Sequence, residues 1–207
     1  MNINCPLCLS AHILDFDKDY HLCENCKGIF LKRELLLNNT EEKARYCEHN
    51  NDVSDTRYQK FVSPITDRII KYFSTDDIGL DFGAGTGPVI SKVLNDKGYN
   101  VKIYDPFFHN YPDFLNNKYN YIACCEVIEH FHNPYREFTL LKNLLCPSGK
   151  LFCMTHIYNS QIPFANWYYR KDPTHVFIYQ QKTLLWIKKH FGFKELSYNE
   201  RLVVFSI

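Results

Sequence analysis

The sequence has no apolar run near the ~18 residues that a membrane span needs. Its longest apolar stretches, around Tyr121–Cys125 and Leu202–Ile207, have strand length. The first residues, Met-Asn-Ile-Asn-Cys, lack a basic flank followed by an apolar segment, so no export signal is expected. Charge of one sign is also missing: 24 Lys and Arg against 23 Asp and Glu leave +1 over 207 residues. No global field therefore steers the chain towards nucleic acid or an anionic membrane, although a local basic patch is compatible with that balance. Internal repeats and low-complexity tracts are absent. Apolar residues at 45% and charged residues at 23% are ordinary for a globular protein and exclude disorder or coiled coil as the dominant state. At ~150 residues per domain, the length allows one sizeable core and a small appendage.

What the sequence does have is cysteine, nine in all. Without an export signal these point to metal or free thiols rather than a disulfide framework, and to a cytoplasmic protein. Cys5-Pro-Leu-Cys8 and Cys23-Glu-Asn-Cys26 make C-x2-C-x14-C-x2-C. Each short turn presents two thiolates on one side, and the loop between them folds one pair onto the other, as tetrahedral zinc requires. Cys5, Cys8, Cys23 and Cys26 are the expected zinc ligands, with His12 and His21 as nearby substitutes. Some thirty residues cannot build a core, so metal binding and folding of this segment are expected to be one event. A redox pair is disfavoured because neither C-x2-C opens a helix after a strand. Cys124, Cys125 and Cys153 lie in predicted strands and read as buried apolar residues.

Three parts are expected: a zinc-ribbon-like segment over 1–37, a helical connector over 38–75 and a main domain over 76–207. Apolar residues at helical spacing, Tyr58, Phe61, Val62, Ile65, Ile69, Ile70 and Phe73, predict a helix over 54–73. Pro64 should kink or split it. Strands are predicted over 78–82, 101–104, 119–125 and 150–155, helices over 88–96, 134–146 and 181–190, and a closing hairpin over 193–207. Strands alternating with helices imply an α/β fold, a mostly parallel sheet with helices on both faces and an antiparallel C-terminal hairpin.

Leu80-Asp81-Phe82-Gly83-Ala84-Gly85-Thr86-Gly87 follows the first of those strands and precedes a helix. Gly83 and Gly85 allow a tight turn and close approach of a ligand, and the helix start offers unpaired N–H groups. About twenty residues on, Asp105 closes the next strand, where a carboxylate can accept from both hydroxyls of a ribose. The spacing is G-x-G-x-G with Asp81 just before it, not the G-x-G-x-x-G of dinucleotide sites. A carboxylate there would repel a pyrophosphate and attract a cationic ligand. This combination resembles the class I S-adenosylmethionine (SAM)-dependent methyltransferases, as do Cys124-Cys125-Glu126-Val127-Ile128-Glu129-His130 and the turn Leu145-Cys146-Pro147-Ser148-Gly149-Lys150-Leu151. The resemblance spans about 78–207. It implies a Rossmann-like sheet, SAM as cofactor, and Asp81, Gly83, Ala84, Gly85, Gly87, Asp105 and Glu126 as cofactor-binding residues. Two departures stand out. The short interval after Asp105 leaves the third strand short or missing, with Asp113 the nearest acid for the adenine side, and Asn120 stands where many relatives have Asp.

Glu126, Glu129, His130 and His175 form a second constellation. It resembles the divalent-cation set of small-RNA terminal 2′-O-methyltransferases and ubiquinone-biosynthesis O-methyltransferases. The other reading is a polar pocket wall in which His130 or His175 is the general base beside Glu129, or in which either histidine is merely structural. The aromatic-basic stretch Asn166-Trp167-Tyr168-Tyr169-Arg170 either caps the acceptor or packs the core. The expected function is a SAM-dependent methyltransferase (EC 2.1.1.-) acting on a small molecule, a sugar or other hydroxyl compound being a candidate, with no membrane partner. The alternatives are an RNA methyltransferase gripping nucleic acid through the ribbon, a SAM-binding module without chemistry, and an NAD(P) oxidoreductase. The acceptor and the oligomeric state are not legible.

Overall fold

The computed structural model describes residues 3–48 and 51–207. Residues 49 and 50 of the expected connector, and residues 1 and 2, lie outside the described residues. The chain begins with three short strands, β1 (Ile13–Asp15), β2 (Tyr20–Cys23) and β3 (Ile29–Leu31), followed by helix α1 (Asn39–Cys47). Asn38 caps α1 by accepting from the Thr40 and Glu41 amides while Glu41 returns a bond to the Asn38 amide, a reciprocal arrangement that fixes where the helix starts.

Helix α2 (Thr56–Tyr72) is not split at Pro64. Proline removes the amide that would donate to the Lys60 carbonyl, but both residues lie on the exposed side. The opposite face buries Val62, Ile65, Thr66 and Ile69 and keeps the helix docked. There follow β4 (Ile78–Phe82), α3 (Val89–Asn95), β5 (Asn100–Tyr104), β6 (Tyr119–Cys125), α4 (Pro134–Leu144) and β7 (Leu145–Met154). The chain ends in β8 (Phe177–Ile178), α5 (Gln181–Phe191), β9 (Glu195–Tyr198) and β10 (Leu202–Ser206).

Among the described residues the strands form two sheets. The larger runs β5-β4-β6-β7-β10-β9, parallel from β5 to β7 and antiparallel at β10 and β9. This is the expected fold, a mostly parallel α/β sheet with an antiparallel hairpin edge. Two apolar clusters cover its faces: one includes Leu80, Ile122, Phe138, Leu141 and Leu184, the other Ile65, Ile69, Ile90, Tyr121 and Phe152. The expected turn ahead of Lys150 is a bulge within β7, between the paired residues Leu145 and Lys150. Its register jumps from Tyr119↔Leu145 to Tyr121↔Lys150, and Ser148, at φ +64°, takes up the extra length.

No strand lies beyond β5 among the described residues. The interval holds an isolated bridge between Asp105 and His109 and a 3-10 turn over Pro112–Asn116. Asn120, at the start of β6, accepts from the Ile78 amide at 3.0 Å and so ties the strand ends opposite the glycine turn. The smaller sheet, β1-β2-β3-β8, joins the N-terminal strands to a strand of the main body. The cysteine-bearing segment is thus built into the molecule through β8.

Candidate functional site

The parallel strands carry their C-terminal ends to one edge, where the loops after β4, β5 and β6 surround a cleft of about 700 Å³. Open α/β sheets bind ligands at this edge. Gly83, Ala84, Gly85 and Thr86 form one wall, Asp105 to Phe108 the next, and Glu126, Val127 and His130 a third, with His175 beside them. Gly83 is at φ +78°, and a Cβ there would stand 2.5 Å from Val127 Cγ2; Gly85 is at φ +62°. Both glycines are therefore required by the turn itself.

Asp105 closes β5 and is nearly buried. Its Oδ2 accepts from the Gly85 amide at 2.9 Å, and its Oδ1 from the Phe107 and Phe108 amides at 2.8 and 3.0 Å. The carboxylate is locked at the junction of two loops that face the cleft. Asp81 is placed differently from the sequence expectation. It is turned beneath the loop, accepts from Ser91 N and Oγ at 3.2 and 2.9 Å, and does not line the cleft. Burial pushes its carboxyl up to about 6 against those two bonds. Gly87 is likewise absent from the lining, because the Asn51 carbonyl lies only 1.8 Å from where its Cβ would be. Asp113 is exposed and away from the cleft.

Glu129, His130 and His175 come together, each offering a ligand atom within 4.8 Å of the others. Their rings and carboxyl are held from behind. His130 Nδ1 faces the Thr174 carbonyl at 2.9 Å, His175 Nδ1 faces the Tyr169 carbonyl at 2.6 Å, and the Tyr169 hydroxyl donates to Glu129 Oε1. Glu129 Oε2 is buried with no hydrogen-bond partner among the described residues. Burial and then the neighbouring Glu126 charge push Glu129 up to about 8, against the Tyr169 bond. Glu126 does not join this trio. It sits at φ +52°, an uncommon backbone state for a side-chain-bearing residue, and meets Arg201 at 3.3 Å. Of the four residues in the second constellation, three converge and one is bound elsewhere.

The span taken as a connector proves to be part of the wall. Glu42 and Tyr46 on α1, Asn51, and Tyr58 and Phe61 on α2 all line the cleft. Glu42 Oε1 accepts from the Tyr46 hydroxyl at 3.1 Å and meets His132 Nε2 at 3.2 Å. Asn51 Nδ2 donates to Thr86 Oγ1 at 3.1 Å, closing the glycine turn from outside. No local pattern in α1, whose single aromatic is Tyr46, signalled this. Trp167 and Tyr169 are buried against Tyr20, Ile29 and Ile178, so this part of the aromatic-basic stretch packs inward, and Tyr168 is exposed. Cys124 and Cys153 are buried and paired in register, as expected, while half-buried Cys125 reaches the cleft.

Away from the cleft, the sulfurs of Cys5, Cys8, Cys23 and Cys26 also lie within 4.8 Å of one another. The pairs Cys5–Cys26 and Cys8–Cys23 are 3.6 and 3.3 Å apart. Those separations are far beyond a disulfide bond and close to the edge, about 3.8 Å, of a tetrahedron with zinc–sulfur bonds of ~2.3 Å. The Cys26 thiol holds Cys5 down to about 6, whereas burial pushes Cys23 up to about 11. Four thiols this close, three of them buried, cannot all ionise without a cation between them, so the donor set fits a divalent soft metal. His12 and His21 are not in the cluster.

A family model described as a methyltransferase domain matches residues 54–198, more than half of the chain, and the protein belongs to that family. The match leaves the four-cysteine segment outside. Among solved structures, an O-methyltransferase family protein from Burkholderia thailandensis is similar at TM-score 0.52 and 14% identity, over 80% of this chain and 61% of that one. A SAM-dependent methyltransferase from Archaeoglobus fulgidus is similar at TM-score 0.53 and 21% identity, over 67% and 71%. The SAH-bound form of CalO1, a methyltransferase in calicheamicin biosynthesis, is similar at TM-score 0.52 and 13% identity, over 81% and 58%. At these identities the likeness establishes the fold. The chain spans about three fifths of the Burkholderia protein and of CalO1. The comparison with curated proteins gives no match. No helix among the described residues is long and apolar enough to cross a membrane.

Proposed function

We propose that this protein transfers a methyl group from SAM to a hydroxyl or amine of a small molecule. The observation that carries this reading is the convergence of the glycine turn, the Asp105 carboxylate and the Glu129–His130–His175 group on one cleft of about 700 Å³, within the 300–1,000 Å³ usual for small ligands. SAM, when bound, supplies an activated methyl for in-line displacement. Gly83, Ala84 and Gly85 would hold its methionine half and Asp105 its ribose, with Phe107 and Phe108 next to the adenine. Asp81 acts from beneath by fixing the turn to α3.

The acceptor side is the wall of Tyr46, His130 and His175. Either imidazole can take the proton of an oxygen or nitrogen acceptor, each being oriented by a backbone carbonyl at Nδ1. Glu129, pushed up to about 8, enters as a mostly protonated carboxyl at neutral pH. Positioning the acceptor at near-attack distance is the larger part of the catalysis. The four cysteines are proposed to hold one zinc ion with a structural role, the set being closed by four protein ligands. The ranges 1–37, 38–75 and 76–207 describe three proposed parts, the first stitched to the third by β8.

The test is transfer of tritium from methyl-labelled SAM into a small-molecule cell extract, with His130→Ala and His175→Ala alongside. The reading predicts labelled product with the parent protein. It predicts a loss of at least about a hundredfold, the usual contribution of a general base, in one of the variants, with SAM affinity within about threefold. Unchanged transfer in both variants contradicts the base assignment. Labelling of RNA in place of small molecules would redirect the acceptor to nucleic acid.

A further inference from the structure

The four-cysteine module is fastened to the stretch of chain that carries His175. Strand β3 pairs with β8, Ile29 opposite Ile178 and Phe30 opposite Phe177, and the Leu31 amide donates to the Val176 carbonyl at 2.9 Å. The Tyr20 hydroxyl, on β2, donates to the His175 carbonyl at 3.1 Å. Arg170 reaches Asp17 Oδ1 at 2.7 Å and Asp19 Oδ2 at 2.9 Å, both in the loop between β1 and β2. Its guanidinium also lies over the rings of Tyr20 and Phe164, at 5.3 and 5.4 Å.

Residues 168–178 contain only a short 3-10 turn and the two-residue β8, so they have little regular structure of their own to fix them. Yet the stretch orients the cleft. The Tyr169 carbonyl meets His175 Nδ1, the Thr174 carbonyl meets His130 Nδ1, and the Tyr169 hydroxyl bonds Glu129. The Arg170 side chain is only 12% exposed, between two carboxylates, so releasing it would leave an uncompensated buried charge. The N-terminal module thus supplies from outside the rigidity that the segment lacks.

We propose that Tyr20 and Arg170 are positioning residues that set where the His175 imidazole stands in the cleft. They act through the 169–175 backbone and do not touch the reacting atoms. The inference rests on the methyltransferase reading of the cleft, but its test does not depend on knowing the acceptor.

Imidazole ring resonances are to be recorded on 15N-labelled full-length protein at one fixed pH, with His175 and His130 assigned from His→Gln variants. Affinity for S-adenosylhomocysteine (SAH) is to be measured by calorimetry on the same samples. In Tyr20→Phe, which removes one hydroxyl and keeps the ring packing, the His175 ring signals are expected to move. The exposed His12 ring should stay, and SAH affinity should hold within about twofold. Arg170→Gln is expected to move them further, and Arg170→Lys, which keeps a cation, less. His175 ring signals unmoved in Tyr20→Phe and in Arg170→Lys, with the amide spectrum otherwise intact, would overturn the proposal even if Arg170→Gln failed to fold. A parent protein that takes up no SAH would defeat the methyltransferase reading instead, a result the ring signals do not share.

Discussion

Glu129 has the most consequential environment of any single side chain. Its folded-state value, about 8, lies above the ordinary 4.5 because of burial and Glu126. The folded state therefore holds a proton that the unfolded state releases. Its stabilising effect is complete below about pH 4.5 and is lost as pH rises towards 8. Glu129→Gln, which imitates the protonated form, should flatten the fall in melting temperature between pH 5 and pH 8. A parallel decline in parent and variant would contradict the assignment. Gly83 makes a second point at this scale. Its positive φ and the Val127 contact at 2.5 Å leave no room for a Cβ, so Gly83→Ala should weaken SAH binding at least about tenfold and destabilise by about 1–3 kcal/mol, read by calorimetry and urea unfolding. Both glycines and Asp105 were legible from spacing. The outward or inward turn of Asp81 was not, because it depends on Ser91 ten residues on, which spacing cannot report.

Two junctions matter at the level of elements. The first is α1 against the 168–178 stretch, made by Arg45 and Asp172 at 2.7 Å. Burial would raise the Asp172 carboxyl, but bonds from Thr174 and Arg45 outweigh it and hold it down to about 2, below the ordinary 3.8. Its stabilisation is therefore present above about pH 4 and lost as pH falls through 2. Asp172→Asn should cost about 2 kcal/mol at pH 7, and the deficit should shrink by pH 3, as urea unfolding at the two pH values would show. The second junction is the sulfur cluster. Metal analysis should find one zinc per chain, and chelation or Cys26→Ser should lower the melting temperature by about 10 °C or more, because each lost kcal/mol is worth ~2–4 °C at this size. A metal-free protein with an unchanged melting temperature would contradict the structural role. The cysteine spacing made this cluster legible. Its merger with β8 was not, since a two-residue strand leaves no periodic trace.

In the whole molecule, the order β5-β4-β6-β7-β10-β9 brings the glycine turn and Asp105 side by side from positions twenty residues apart. The ranges of β4 and β6 were readable to the residue, because parallel strands buried on both faces leave continuous apolar runs. The missing strand beyond β5 was legible from the short interval after Asp105. The contribution of α1 to the cleft was hidden, since the Glu42–His132 contact joins residues ninety apart and no local pattern encodes so distant a pairing. The cleft is proposed to hold the adenosyl cofactor, with Asp105 on its sugar. Calorimetric titration of SAH into the parent protein and into Asp105→Ala tests it most directly. One site per chain, weakened at least about tenfold by the substitution, is the predicted result. No heat with SAH in the parent, or saturable binding of NAD in its place, would contradict it.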